Sequence, residues 1–228
     1  MAGPRYKHVS DCALLVEFGT VVDDEINRQV IALDRAICGA GKDEIPGLVE
    51  VVPAMVNLLL VFDPSVTNHN QVQAMVERIL TLENGTAENG QHHRINVCYE
   101  DELGPDLDAV AKACDLSREA VINAHYGATY RVSMYGFAPG FAYLSGVAEA
   151  IQVPRKVAPL RDIPSGSVLI AGPQCLTTTM VMPTGWSIIG RSDVQVMTDD
   201  PQRPFLFDVG DSVGFQRVRR DQLEERTG

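Results

Sequence analysis

Apolar positions change their spacing partway along the chain. Through residue 98, stretches alternating at every second position trade places with sets recurring at every third or fourth; beyond His125 only short apolar runs remain. Asp11 to Phe18 reads as a strand that ends at Gly19. Asp23 and Asp24 can cap a helix that sets Ile26, Val30, Leu33 and Ile37 on one face and stops at Gly39. Gly47 to Val52 alternates as a strand, Pro53 turns it, and Asn57 to Phe62 forms a second strand closed by Asp63-Pro64, which predicts a hairpin. A second helix, capped by Asn68 or Asn70, turns Val72, Met75, Val76, Ile79 and Leu80 to one side. Polar Glu83 to Gly90 then loosens the chain before a strand over residues 94–98.

The order β-α-β-β-α-β is that of a ferredoxin-like sandwich, with two helices on one face of an antiparallel sheet. An acidic helical stretch follows, Asp106 to Cys114 and Ser117 to His125. Next come brief runs rich in Val, Ile, Thr and aromatics, broken by glycine and proline: Tyr130 to Met134, Ser167 to Ala171, Thr177 to Val181 and Ser187 to Ile189. Such spacing belongs to an all-β barrel or sandwich. The expected division is an α+β domain over residues 1–90 and a mainly-β domain over residues 91–228.

Charge narrows the functional classes. The 228 residues carry 19 basic and 30 acidic side chains, a formal charge of −11. No cluster of five basic residues offers a phosphate-binding stripe, so nucleic acid is not an expected partner. The longest nearly uncharged apolar stretch, Val51 to Phe62, is about half of what a bilayer helix needs, and the first eight residues lack the apolar core of a signal peptide. No membrane partner and a cytoplasmic location are expected. Cys12, Cys38, Cys98, Cys114 and Cys175 are an odd set without a CxxC pair, which predicts reduced, mostly buried thiols and no metal knuckle.

Three glycine-rich clusters could carry chemistry. In Tyr135 to Gly146, two glycine-aromatic pairs flank Pro139; Gly136 and Gly140 allow close backbone approach, and Phe137, Phe141 and Tyr143 offer flat walls. The same residues would also pack a barrel corner. A second cluster runs from Pro154-Arg155 through Gly166-Ser167 to Gln174, and a third from Pro183 to Arg191. The sole tryptophan, Trp186, lies within five residues of Arg191, whose forked guanidinium suits a carboxylate or phosphate. The alternative is a core plug beside a surface charge. His125 is the histidine best placed for proton transfer near neutral pH, or else a satisfied structural residue near a helix end. P-loop, GxGxxG, HExxH and GxSxG motifs are absent.

At these clusters the chain resembles the family of the 5-oxoprolinase B subunit, also called allophanate hydrolase subunit 1 or KipI-like, which is related to a carboxyltransferase region of urea carboxylases. Its G-F-x-P-G-F-x-Y-L pattern matches Gly136 to Leu144, its P-R and P-x-G-S-V-x-I-A-G match Pro154-Arg155 and Pro164 to Gly172, and its P-G-G-W-x-x-I-G-R matches Pro183 to Arg191 with one change. Asp11 to Gly19, Glu50 to Ala54, Phe62 to Pro64, Gly104 to Leu107, His125 and Gly210-Asp211 also match. There are departures. Pro159-Leu160 stands where a second P-R is common, Thr184 replaces a glycine, and Pro173 with Cys175 to Thr179 replaces N-Q-T-G-I-Y-P around Gln174.

The resemblance implies a ferredoxin-like N-terminal domain, a cyclophilin-like barrel, and a heteromeric complex with a homologue of the 5-oxoprolinase C subunit (allophanate hydrolase subunit 2). With an amidohydrolase-like A subunit, such complexes use ATP, with magnesium, to open 5-oxoproline to glutamate; no cofactor is expected to bind this chain tightly, and no metal. The expected catalytic residues are His125, Arg155 and Arg191. Expected substrate contacts are Phe137, Pro139, Gly140, Phe141, Tyr143, Gly166, Ser167, Gln174 and Trp186. Two other readings stay open, a biotin-dependent carboxyltransferase component for a urea-like acceptor and an inhibitor of a sensor histidine kinase.

Overall fold

The computed structural model describes residues 3–40, 46–82 and 90–223, and these form two compact units, 1–89 and 90–228. Of the loosening expected over Glu83 to Gly90, all but Gly90 lies outside the described residues.

In the first unit, strands β1 (Arg5–Ser10), β2 (Ala13–Glu17), β3 (Leu48–Pro53) and β4 (Asn57–Phe62) form an antiparallel sheet in the order β1-β2-β4-β3. Helices α1 (Asp24–Ala40) and α2 (His69–Leu82) pack on it. Period-2 alternation drives the packing. Leu14 and Val16 of β2 and Leu58, Leu60 and Phe62 of β4 point to one face and are fully buried against Val30, Leu33 and Ile37 of α1 and Val72, Val76 and Ile79 of α2. Each such side chain contributes roughly 1.5–3 kcal/mol of apolar burial. Asp23 caps α1 by accepting the Glu25 and Ile26 N–H groups at 2.8 and 3.2 Å, and Asn68 caps α2 by accepting from Gln71 N–H at 3.1 Å.

Two expectations change here. The predicted first strand is β2, and a strand without apolar alternation, β1, precedes it across a turn at Asp11 and Cys12. The closing strand of the predicted β-α-β-β-α-β order, β5 (His92–Cys98), belongs to the second unit, and β1 occupies the sheet edge beside β2. β1 is almost wholly exposed and polar, so it carries none of the apolar alternation that marks a strand in sequence.

In the second unit, helices α3 (Leu107–Ala113) and α4 (Arg118–Tyr126) follow β5 and lead into β6 (Thr129–Tyr135) and β7 (Ala142–Ser145). Then come β8 (Leu160–Ile163), β9 (Ser167–Ala171), β10 (Gln174–Thr177), β11 (Met182–Thr184), β12 (Ser187–Ser192) and β13 (Ser212–Arg217). Seven of these strands close into a barrel in the order β10-β7-β6-β13-β5-β12-β9, with β9 pairing back to β10. β8 and β11 make a separate two-stranded ribbon. The run expected as a strand over Thr177 to Val181 leaves the sheet after Thr177, because Thr178 turns its hydroxyl to the Pro164 carbonyl at 2.8 Å.

All pairings are antiparallel except β5 with β13, which run parallel from Ser212↔His92 to Arg217↔Val97. Asp211 secures that pair. Its buried carboxylate accepts from Gln91 N–H at 2.8 Å, from Asp208 N–H at 2.9 Å and faces His93 Nε2 at 2.8 Å. Replacing Asp211 by Ala leaves these donors without an acceptor, and a buried group so orphaned costs about 1–3 kcal/mol. Urea unfolding of Asp211→Ala should therefore show a loss of at least about 2 kcal/mol; a midpoint equal to that of the unaltered chain would refute the anchoring role.

Candidate functional site: an aromatic recess on the barrel wall

Alternation along the barrel strands sorts side chains into two apolar sets. Val168 and Ile170 of β9, Cys175 of β10 and Ile189 of β12 fill the interior, while Leu169, Ala171, Leu176 and Ile188 from the same strands face outward. The outward set is covered by Ile163, Met182 and Trp186 together with Phe141. Between these layers lies a recess of about 160 Å³, lined by Phe137, Phe141, Tyr143, Arg155, Leu169, Leu176 and Met182 to Trp186.

The walls are aromatic rings in sequence: Phe137 to Phe141 at 5.5 Å, Phe141 to Tyr143 at 6.2 Å and Tyr143 to Trp186 at 6.0 Å between centroids. The Arg155 guanidinium lies 5.4 Å over the Trp186 ring. Among the described residues no carboxylate pairs with it. Its position is set from behind: Lys156 donates its backbone N–H to Gly185 O at 2.6 Å and its ammonium to the Asp106 carboxylate, which also accepts from Ile188 N–H at 2.7 Å. Thr184 accepts the Trp186 N–H on its hydroxyl oxygen at 3.1 Å, so the threonine that departs from the family glycine holds the tryptophan turn.

Phe137 is 76% exposed at the recess and holds a φ of +75°, a left-handed conformation that a bulky residue occupies only under constraint. Thr179 ties the adjacent loop by donating to Pro139 O at 2.8 Å. Gly140, at φ +71°, admits no side chain, since a Cβ there would stand 2.9 Å from Met197 Cγ.

Five of the expected site residues thus meet in one recess: Phe137, Phe141, Tyr143, Arg155 and Trp186. Pro139 and Gly140 shape its adjoining loop. The others lie elsewhere. Gly166 has φ +82° and donates to Thr178 O at 2.7 Å; Ser167 is fully buried, its hydroxyl donating to Pro164 O at 2.7 Å, so both form a turn lock. Gln174 pairs with Ser145 and Ala171 at the start of β10, and Arg191 lies opposite Cys98 and Ser167 on β12.

His125 departs furthest from expectation. It has no exposed surface and lies inside the barrel core, with Tyr99 Oη 2.7 Å from Nδ1, Cys175 Sγ 3.4 Å from Nε2, and the Phe215 ring stacked at 4.6 Å. It sits three and four residues after Ile122 and Val121, the buried face of α4, and that spacing already marks it as inward-facing. Burial lowers its pKa from 6.5 to about 3, and burial likewise pushes the Cys175 thiol up. The ring is neutral, donor on one nitrogen and acceptor on the other, and has no route to a proton in the recess. Sequence reading passed over Asp106 and Lys156, which position Arg155; the pair is far apart in the chain and forms no local motif.

The second unit is thus a closed mixed barrel with a small aromatic recess on its outer wall, Arg155 lying over Trp186 there. Residues 4–207 match the carboxyltransferase domain, subdomain C and D, and the chain belongs to that family. It is 35% identical over 226 residues to the 5-oxoprolinase B subunit of Bacillus subtilis (strain 168), covering 94% of this chain and 92% of the relative. Among solved structures, TTHA0988 superposes with a TM-score of 0.79 at 33% identity over 91% of this chain but 40% of its own length, so the chain spans two fifths of that protein. The Kluyveromyces lactis urea amidolyase shares the fold, with a TM-score of 0.73 at 19% identity over 96% of this chain and 15% of that one. No helix among the described residues is long and apolar enough to cross a membrane.

Unfolding would release His125 to water, where it titrates near 6.5; below that pH the unfolded chain binds a proton that the folded chain refuses until about pH 3. Stability is therefore full above pH 6.5 and falls as pH drops below it, by up to about 1.4 kcal/mol per pH unit from this group. In urea unfolding between pH 4.5 and 7.5, His125→Gln should flatten that slope; an unchanged slope would contradict the buried neutral state.

Proposed function

We propose that the chain is the B subunit of a heteromeric, ATP-dependent 5-oxoprolinase that opens 5-oxo-L-proline to L-glutamate. The observation carrying this reading is the end-to-end similarity to a 5-oxoprolinase B subunit, which spans nearly all of both chains. The recess is consistent with it. One arginine faces a space suited to a small carboxylate, and aromatic and aliphatic walls accept a ring.

The partners proposed are homologues of the C subunit, also called allophanate hydrolase subunit 2, and of the A subunit. ATP and magnesium belong to the assembled complex in this reading: the recess holds about 160 Å³ and has no glycine-rich phosphate cradle, which does not fit a nucleoside triphosphate. Among the described residues no three histidine, cysteine or acidic side chains gather to hold a metal. Within this chain, Arg155 is the anion contact, Asp106 and Lys156 are positioning residues, and the aromatic walls exclude water. The carboxyltransferase and kinase-inhibitor readings draw no support from the recess, and the urea amidolyase likeness reaches the fold alone.

A mixture of this chain with its C-subunit and A-subunit homologues should form glutamate from 5-oxoproline only when ATP is present and only when all three are present. Activity of the chain alone, or inactivity of a verified three-part mixture, would overturn the assignment. In the active mixture Arg155→Lys keeps the charge and loses the fork, so kcat/KM should fall by about 1–3 kcal/mol of transition-state binding.

A further inference from the structure

We propose that two copies of this chain pair through the open face of the first sheet, face to face about a two-fold axis parallel to the strands. The interface lies outside the recess and does not depend on the proposed function.

An antiparallel sheet with helices on one face and water on the other alternates apolar and polar residues. β2 and β4 do not. Ala13 to Val16 and Leu58 to Phe62 are unbroken apolar runs, the pattern of strands buried on both faces. Leu14, Val16, Leu58, Leu60 and Phe62 lie under α1 and α2. Ala13, Leu15, Leu59 and Val61 alternate with them and so point the other way, and among the described residues none of the four belongs to an apolar cluster of either unit. The register sets them side by side: Ala13 opposite Val61, Leu15 opposite Leu59, and Val52 of β3, 37% exposed, beyond Leu59.

The charge at the two margins of this face marks a second copy as the occupant. On one side β1 places Arg5 opposite Glu17 and Lys7 opposite Leu15, and the Glu17 carboxylate holds the two cations at 2.9 and 3.0 Å, which leaves that margin with a positive excess. On the other side β3 places the exposed Glu50 opposite Val61. The sheet order is β1-β2-β4-β3, so a two-fold axis parallel to the strands between β2 and β4 lays β1 of each copy over β3 of the other. The positive margin then meets Glu50 twice, and Leu15 of each copy meets Leu59 of the other at the centre. An axis across the strands would stack each margin on its own like charge. Four strands about 4.8 Å apart and about six residues long, at about 3.3 Å each, present a face of roughly 20 by 20 Å. Two copies thus bury on the order of 800 Å², which is small for a dimer and sets a reversible pair with a micromolar dissociation constant.

Sedimentation equilibrium of the full chain across the micromolar range should fit a monomer-dimer equilibrium. Leu59→Lys and the more exposed Val52→Lys, each checked for folding by its thermal transition, should weaken the dimer at least about tenfold. The margins supply a pair of exposed variants that leave the core untouched: Glu50→Lys should weaken the dimer, and adding Lys7→Glu to it should restore association, because the two charges have then traded sides. A chain that stays monomeric throughout, a dimer indifferent to both lysine variants, or a Glu50→Lys defect that Lys7→Glu deepens would each refute the pairing. The same series run with the C-subunit homologue tests the other occupant. If Val52→Lys abolishes that heteromeric complex while the chain alone is monomeric, the face belongs to the C subunit and the inference fails.

Discussion

The parallel pairing of β5 with β13 closes the second unit, and without it the remaining strands would be an open antiparallel sheet with two exposed edges. Parallel neighbours cannot be joined by a tight turn, so the two strands must be brought together from distant parts of the chain. Asp211 does this with one carboxylate, which collects the start of β5 and the loop before β13. Closure in turn fixes which residues point inward, and hence which are left on the outer wall to form the recess.

The wall of the barrel is one strand thick, and β10 shows what that means. Cys175 turns inward to His125, and the next residue, Leu176, turns outward to line the recess. Two chemically suggestive groups that adjoin in sequence are thereby separated: an uncharged Tyr99-His125-Cys175 chain sealed in the core, and an exposed arginine over a largely buried set of aromatic rings on the outer wall. Inside, the polar atoms serve packing by satisfying one another. Outside, the guanidinium lies over the Trp186 ring with no carboxylate paired to it among the described residues.

Elements with strong periodicity were legible in the sequence: α1, α2, the β3-β4 hairpin, and the cores of β6, β9 and β12. β1 was not, because an exposed polar edge strand has no apolar alternation, and β8 and β11 were not, because three- and four-residue strands are shorter than any pattern can define. Phe137, Phe141, Tyr143, Arg155 and Trp186 were legible as a set because glycine and proline bracket them and nothing in a plain strand requires that. Their separation from His125, Gln174 and Arg191 was not, since it depends on which way each strand faces once the barrel closes. The Asp106-Lys156 support has no local signature at all.

Placing β1 at the sheet edge beside β2 has a consequence for the order of assembly. All four strands of the first sheet come from residues 5–62, so its contacts are short in sequence and it can form as soon as that segment leaves the ribosome. β5 emerges next but cannot be enclosed until β13 follows; Gln91 and Asp211, which join their ends, are 120 residues apart. Throughout synthesis of the intervening chain β5 therefore waits with an unpaired edge. The second unit is the slow and aggregation-exposed half of the molecule, and its last strand to be made is the one that protects the first.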